Sequence, residues 1–166
     1  METTHSHRSV ASTAFDARAV FERVLVPVDF SEGSRRALAT ALELKRCFGS
    51  EVHLFRLTES SENDRFLAGS GAEAMSPHAL VTQAEERLRR FVDNVLPGRS
   101  GDVVAHAQVG ADVVHAIARN ARKLGTTLVV LAEAPKQTVF RTQMEKIVQE
   151  LDGAVMILRT ELAAPH

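Results

Sequence analysis

The sequence predicts an α/β protein, a parallel sheet with helices on both faces. Three observations carry that expectation. Short apolar runs alternate with helical stripes along most of the 166 residues, the pattern of parallel strands joined by helical crossovers. The first run, Val24-Leu25-Val26-Pro27-Val28, is almost unbroken in apolar residues, as a strand covered on both faces requires. It ends in Asp29 and turns at once toward a helix, placing an acid at the carboxyl end of a strand, where open α/β sheets put their ligands.

The elements follow in order. After the first strand, Ala37, Leu38, Ala41, Leu42 and Phe48 recur at helical spacing, with Gly49 as the stop. Ser31 or Ser34 supplies the cap, and Glu32 suits the positive end of the helix dipole. Cys47 falls on the apolar side of this helix in the sequence pattern and is expected in the core. Glu51 to Leu57 reads as the second strand. Thr58 to Pro77 is polar, glycine-bearing and patternless, a long loop of the kind that is commonly functional or disordered. Val81, Ala84, Leu88, Phe91, Val92 and Val95 mark a second helix closed by Pro97-Gly98, and Asp102 to Gln108 a third strand. Asp112 precedes a third helix striped by Val113, Val114, Ile117, Ala118, Ala121 and Leu124, and Gly125 ends it. Thr127 to Leu131 gives a fourth strand. Val139, Met144, Ile147, Val148 and Leu151 give a fourth helix, and Ala154 to Leu158 a fifth strand. The expected whole is five strands and four helices in one unrepeated domain over residues 22–160, with an N-terminal extension (1–21) that looks poorly ordered over its first dozen residues and a short flexible tail (161–166).

Composition narrows the function classes. Hydrophobic residues make up 45% and charged residues 25%, a globular balance. A net charge of −1 gives no support for nucleic-acid binding or membrane-surface attachment by bulk electrostatics. No apolar run approaches the roughly 18 residues of a membrane span, and residues 1–22 lack the apolar core of a secretory signal. A single cysteine forbids an intrachain disulfide, so a reducing cytoplasm is the expected home. Seven histidines invite a metal reading. However, His53, His78, His106 and His115 lie on separate elements without H-x-x-x-H spacing, so no metal is expected. Gly69-Ser-Gly-Ala-Glu-Ala superficially matches a dinucleotide fingerprint, but it neither follows its strand closely nor opens a helix. No G-x-S-x-G elbow is present. A phosphoacceptor receiver domain would need an acid pair after strand one, an acid ending strand three and a lysine after strand five; Gln108 and Arg159 stand at the latter two places.

Four segments resemble universal stress proteins, in the right order and spacing. They are Val24-Leu-Val-Pro-Val-Asp-Phe-Ser-Glu-Gly-Ser with the Arg-Arg-Ala-Leu that follows, Phe48-Gly-Ser-Glu-Val-His-Leu, Val109-Gly-Ala-Asp-Val-Val-His-Ala-Ile, and Leu124-Gly-Thr-Thr-Leu-Val-Val-Leu. The resemblance covers residues 22 to 160. It implies a Rossmann-like, three-layer α/β/α domain with sheet order 3-2-1-4-5, and a homodimer paired through strand five.

Many members of that family bind ATP through G-x-x-G-x9-G-(S/T) after strand four, where glycines let backbone N–H groups approach the phosphates. Here the two first glycine positions fall on Ala132 and Pro135, and Pro135 has no N–H to donate. The third falls on Arg141, with Thr142 in the Ser/Thr position, and Glu133 adds a negative charge. The resemblance makes Pro27, Val28, Asp29, Leu57, Ala132, Arg141 and Thr142 the candidate nucleotide-binding positions. The altered loop argues against ATP binding in the family's usual way, so no cofactor is expected. The chain resembles the branch without that loop.

Asp29 has two readings, a nucleoside contact or an acid that orders the turn and helps cap the first helix. Lys136, Arg141 and Lys146 are either an anion site or scattered surface charges. Ala154, Val155, Met156, Ile157 and Leu158 form an apolar edge strand without guarding charges, suited to pairing with a second copy or to cover by Phe15, Val20 and Phe21. The expected function is a cytoplasmic, homodimeric stress-response module that binds a protein partner, with the 58–77 loop as a candidate contact, and performs no turnover. Two alternatives stay open: an adenine-nucleotide-binding protein or weak ATPase, and an accessory regulatory subunit of a membrane transporter.

Overall fold

The computed structural model describes residues 16–59, 75–133 and 138–159, with side chains described at all of these except 17 and 138–142. Five strands, β1 (Arg23–Pro27), β2 (Glu51–Thr58), β3 (Val103–Val109), β4 (Leu128–Ala132) and β5 (Ala154–Leu158), form one sheet in the order β3-β2-β1-β4-β5. Every pairing is parallel.

Helices α2 (Glu32–Phe48), α3 (Pro77–Val95), α4 (Val113–Leu124) and α5 (Thr138–Glu150) make the crossovers. Their ends sit where the sequence puts them. Ser31 Oγ caps α2 by accepting from the Ser34 N–H, and Asp112 caps α4 by accepting from the His115 N–H. Gly49 and Gly125 close those two helices at φ 75° and 61°, a conformation that disfavours any side chain. Ser76 caps α3, with Pro77 in its first turn.

Successive strand residues point to opposite faces, and this splits the core in two. Val24, Val26 and Leu54 pack with Leu38 and Leu42 of α2 and Leu88 and Val92 of α3. Leu25, Phe55, Val129 and Leu131 pack on the other face with Ile117 and Ala121 of α4 and Met144 and Ile147 of α5. The result is the expected three-layer, Rossmann-like arrangement.

Three expectations need correction. A fifth helix, α1 (Ala17–Val20), precedes β1, and a 3-10 turn (Ser100–Asp102) precedes β3. Asp16 caps α1, and Phe21 stacks on Phe48 with ring centroids 4.7 Å apart. That contact gives Phe21 its partner at the far end of α2, away from the β5 edge; Phe15 lies outside the described residues. Cys47 is exposed, because nine residues at about 100° each turn it to the side of α2 opposite buried Leu38. Among the described residues no helix is long and apolar enough to cross a membrane.

Candidate functional site

In this strand order the chain reverses direction across the sheet between β1 and β4, and such a switch point opens a crevice beyond the strands' carboxyl ends. A cleft of about 690 Å³, counted to its open mouth, lies there. Its lining includes Pro27, Val28 and Asp29 at the end of β1, Leu57 on β2 and Ala132 at the end of β4. Five of the seven candidate positions therefore meet in one place. Arg141 and Thr142 lie in the first turns of α5, and their side chains are outside the described residues, as is Lys136. Lys146 is exposed on α5.

The turn after β1 is built by hydrogen bonds. The Ser34 hydroxyl donates to Asp29 Oδ1 at 2.5 Å and accepts from the Asp29 N–H at 3.0 Å. The Ser31 N–H donates to the same carboxylate oxygen at 2.9 Å. Burial works to raise the Asp29 pKa, but the hydrogen bonds from Ser31 and Ser34 outweigh it and hold the carboxyl below its ordinary value. Asp29 is thus an ionised turn-former that also lines the cleft. Gly33 brings α2 close to the end of β4: a Cβ built on it would lie 3.3 Å from the Ala132 Cβ.

At the phosphate end, the Glu133 N–H donates to the Leu158 carbonyl at 2.8 Å, continuing the β4–β5 ladder. Arg36 donates to the backbone carbonyls of Glu133 and Arg159 at 3.4 and 3.3 Å. Glu133 does not stand in the cleft, contrary to the sequence expectation. Its carboxylate lies 3.9 Å from Arg159 Nε, and both residues line a separate groove with Val148 and Ile157. Pairing with β5 turns the strand end outward.

Sequence reasoning missed two clusters. Phe30, next to Asp29, has φ 65°, a left-handed conformation that costs an aromatic residue roughly 1–3 kcal/mol. This backbone sets its ring edge-on to Phe91 of α3, centroids 5.4 Å apart. Arg56 and Arg87 place their guanidiniums 5.3 and 4.9 Å from the Phe30 ring centre, and Arg35 lies 5.5 Å from that of Phe91. The second cluster is His53 and His106, which the sequence left on separate elements. The β2–β3 pairing brings His53 Nδ1 to 3.0 Å from His106 Nε2. The signal that finds this pair is the strand order, since both rings point to the same sheet face. Among the described residues no three His, Cys, Asp or Glu side chains gather to hold a metal.

The fold and the cleft define a Rossmann-like α/β protein with a crevice at its switch point. The chain belongs to the universal stress protein family, which it matches over residues 21–159. Among solved structures, the universal stress protein UspA from Lactobacillus plantarum aligns with a TM-score of 0.61 at 19% identity, covering 84% of this chain and 98% of that one. A universal stress protein in complex with cAMP gives 0.58 at 16%, covering 85% and 98%. The universal stress protein from Archaeoglobus fulgidus in complex with dAMP gives 0.54 at 17%, covering 83% and 98%. At such identities the likeness establishes the fold. No curated relative matches the sequence.

Proposed function

We propose that this chain is a homodimeric, cytoplasmic regulatory module of its family that acts by binding a protein partner and does not hold ATP in the family's usual way. The observation that carries this reading is the chemistry at the end of β4. A phosphate there would need free backbone donors. The Glu133 N–H is instead committed to Leu158, Ala132 presents a methyl group toward α2, and Pro135 has no N–H. Ile157 on the edge strand is 42% exposed and Val148 39%; both line one groove. They supply apolar surface beside β5 for a second copy.

A second reading is favoured by the cleft itself: an adenine nucleotide gripped at its nucleoside end by Pro27, Val28, Asp29 and Leu57. The relatives seen with cAMP and dAMP support that alternative, and weak ATPase activity would belong to it. Thermal unfolding with and without Mg-ATP separates the two. A ligand at 100 times its dissociation constant stabilises by about 2.7 kcal/mol, a readily measured rise in Tm. The proposed function predicts no rise.

A further inference from the structure

We propose that the arginine–phenylalanine shelf beside the cleft docks a phosphorylated side chain of a partner protein. The inference rests on the partner-binding reading and names the partner's chemistry. Four separate elements build the shelf: the turn after β1 gives Phe30, α2 gives Arg35, β2 gives Arg56, and α3 gives Arg87 and Phe91. Two guanidiniums share one ring, 4.9 and 5.3 Å from its centre. Stacking fixes the plane of a guanidinium while leaving its edge N–H donors available, the geometry suited to phosphate oxygens. Arg56 and Arg87 approach the same ring from two elements, so a dianion seated beside it meets guanidiniums from both. Among the described residues Glu32 pairs with Arg35, at 3.7 Å. Arg87 is exposed and has no carboxylate partner among the described residues.

The backbone strain points the same way. Phe30 takes a left-handed conformation, and such strain collects at ligand clamps. It places the ring where α3 and β2 can both lay an arginine on it. The shelf adjoins the cleft, whose lining includes Arg56 together with Asp29. Phe30, Arg35, Arg87 and Phe91 lie outside the cleft lining, and Arg87 is exposed, so a phosphate on their side of the shelf is reached from solvent by an accessible partner segment. Recognition of phosphorylated segments by arginine clusters is an established mode.

The test uses the full chain and a fluorescein-labelled glycine–alanine peptide with one central phosphoserine, followed by anisotropy. The phosphorylated peptide should bind about tenfold or more tightly than its unmodified twin. Arg87→Gln and Arg56→Gln should each remove most of that preference. Arg90→Gln is the control, because Arg90 lies exposed on the same helix, paired with Glu86 at 3.3 Å; it should leave the preference intact. Circular dichroism melts confirm that each variant folds. No phosphate preference, a preference untouched by Arg87→Gln, or an equal loss in Arg90→Gln would overturn the proposal. Competition by AMP and not by adenosine fits the shelf, whereas equal competition by both would place the site in the cleft and overturn it. If the shelf fails while the dimer stays free of ATP, only this inference falls. If ATP is found on the protein, the functional reading itself falls.

Discussion

The His53–His106 pair makes the fold acid-sensitive in a way that can be calculated. His53 is 5% exposed, with Nδ1 3.0 Å from His106 Nε2 and Nε2 3.3 Å from Glu51 Oε1. With both rings neutral, His106 Nε2–H donates to His53 Nδ1, which leaves the His53 proton on Nε2, a buried atom that makes no hydrogen bond although Glu51 Oε1 lies 3.3 Å away. A proton added to His53 Nδ1 then faces the His106 N–H across that short gap. The charged groups around the pair divide. Burial lowers both pKa values first; Arg23 adds to this at His53, and His53 itself and Lys123 at His106, while Glu51 and Glu85 oppose it. Both folded pKa values thus lie below the ordinary 6.5, and the unfolded chain binds more protons. Stability is full above about pH 6.5 and falls as pH drops toward the folded pKa values, by about 1.4 kcal/mol per pH unit for each excluded proton. Urea unfolding from pH 8 to pH 5 measures this slope. His106→Gln keeps an amide near the position of Nε2 but cannot titrate, so its slope should be shallower, by at most the roughly 1.4 kcal/mol per pH unit that one proton contributes. Identical slopes in the two proteins would mean that the folded pair excludes no proton at His106.

Two other substitutions probe the turn and the edge. Asp29→Ala removes the acceptor shared by the Ser34 hydroxyl and the Ser31 N–H. It should cost about 1 kcal/mol in urea unfolding, the lower end for such a cap-like carboxylate, because the residue is exposed. Since the folded Asp29 pKa lies below 3.8, its contribution is present above that value and is lost as pH falls through the folded pKa, so the wild-type and alanine curves should converge in acid; parallel curves would show that the turn does not depend on the carboxylate. Ile157→Lys puts a charge on the exposed edge strand. It should convert a dimer to a monomer in light scattering with little change in the monomer's far-ultraviolet circular dichroism, and a persisting dimer would move the interface away from β5.

Much of the architecture was legible because it is local. Gly49 and Gly125 stop their helices at positive φ, Asp112 caps α4, and the apolar runs became the strands to within a residue or two. The switch-point cleft followed from strand order, which came from the family resemblance, and Pro27, Val28, Asp29, Leu57 and Ala132 meet there. What stayed hidden depends on contacts between residues distant in sequence. The pairing of His53 with His106 needs β2 beside β3. The shelf needs the positive φ of Phe30, which no periodicity signals in a bulky residue. Glu133 was expected to oppose phosphate in the cleft, but the β4–β5 ladder carries it to the outer groove. Cys47 was assigned to the core from its neighbours' character, and helical geometry turns it outward.

We propose a retained family fold that has lost the usual ATP chemistry. Native mass spectrometry of the freshly purified chain, without and then with Mg-ATP, tests it most directly. The account predicts a dimer of unmodified mass in both spectra. A dimer carrying ATP or AMP, whether as isolated or after addition, would contradict it.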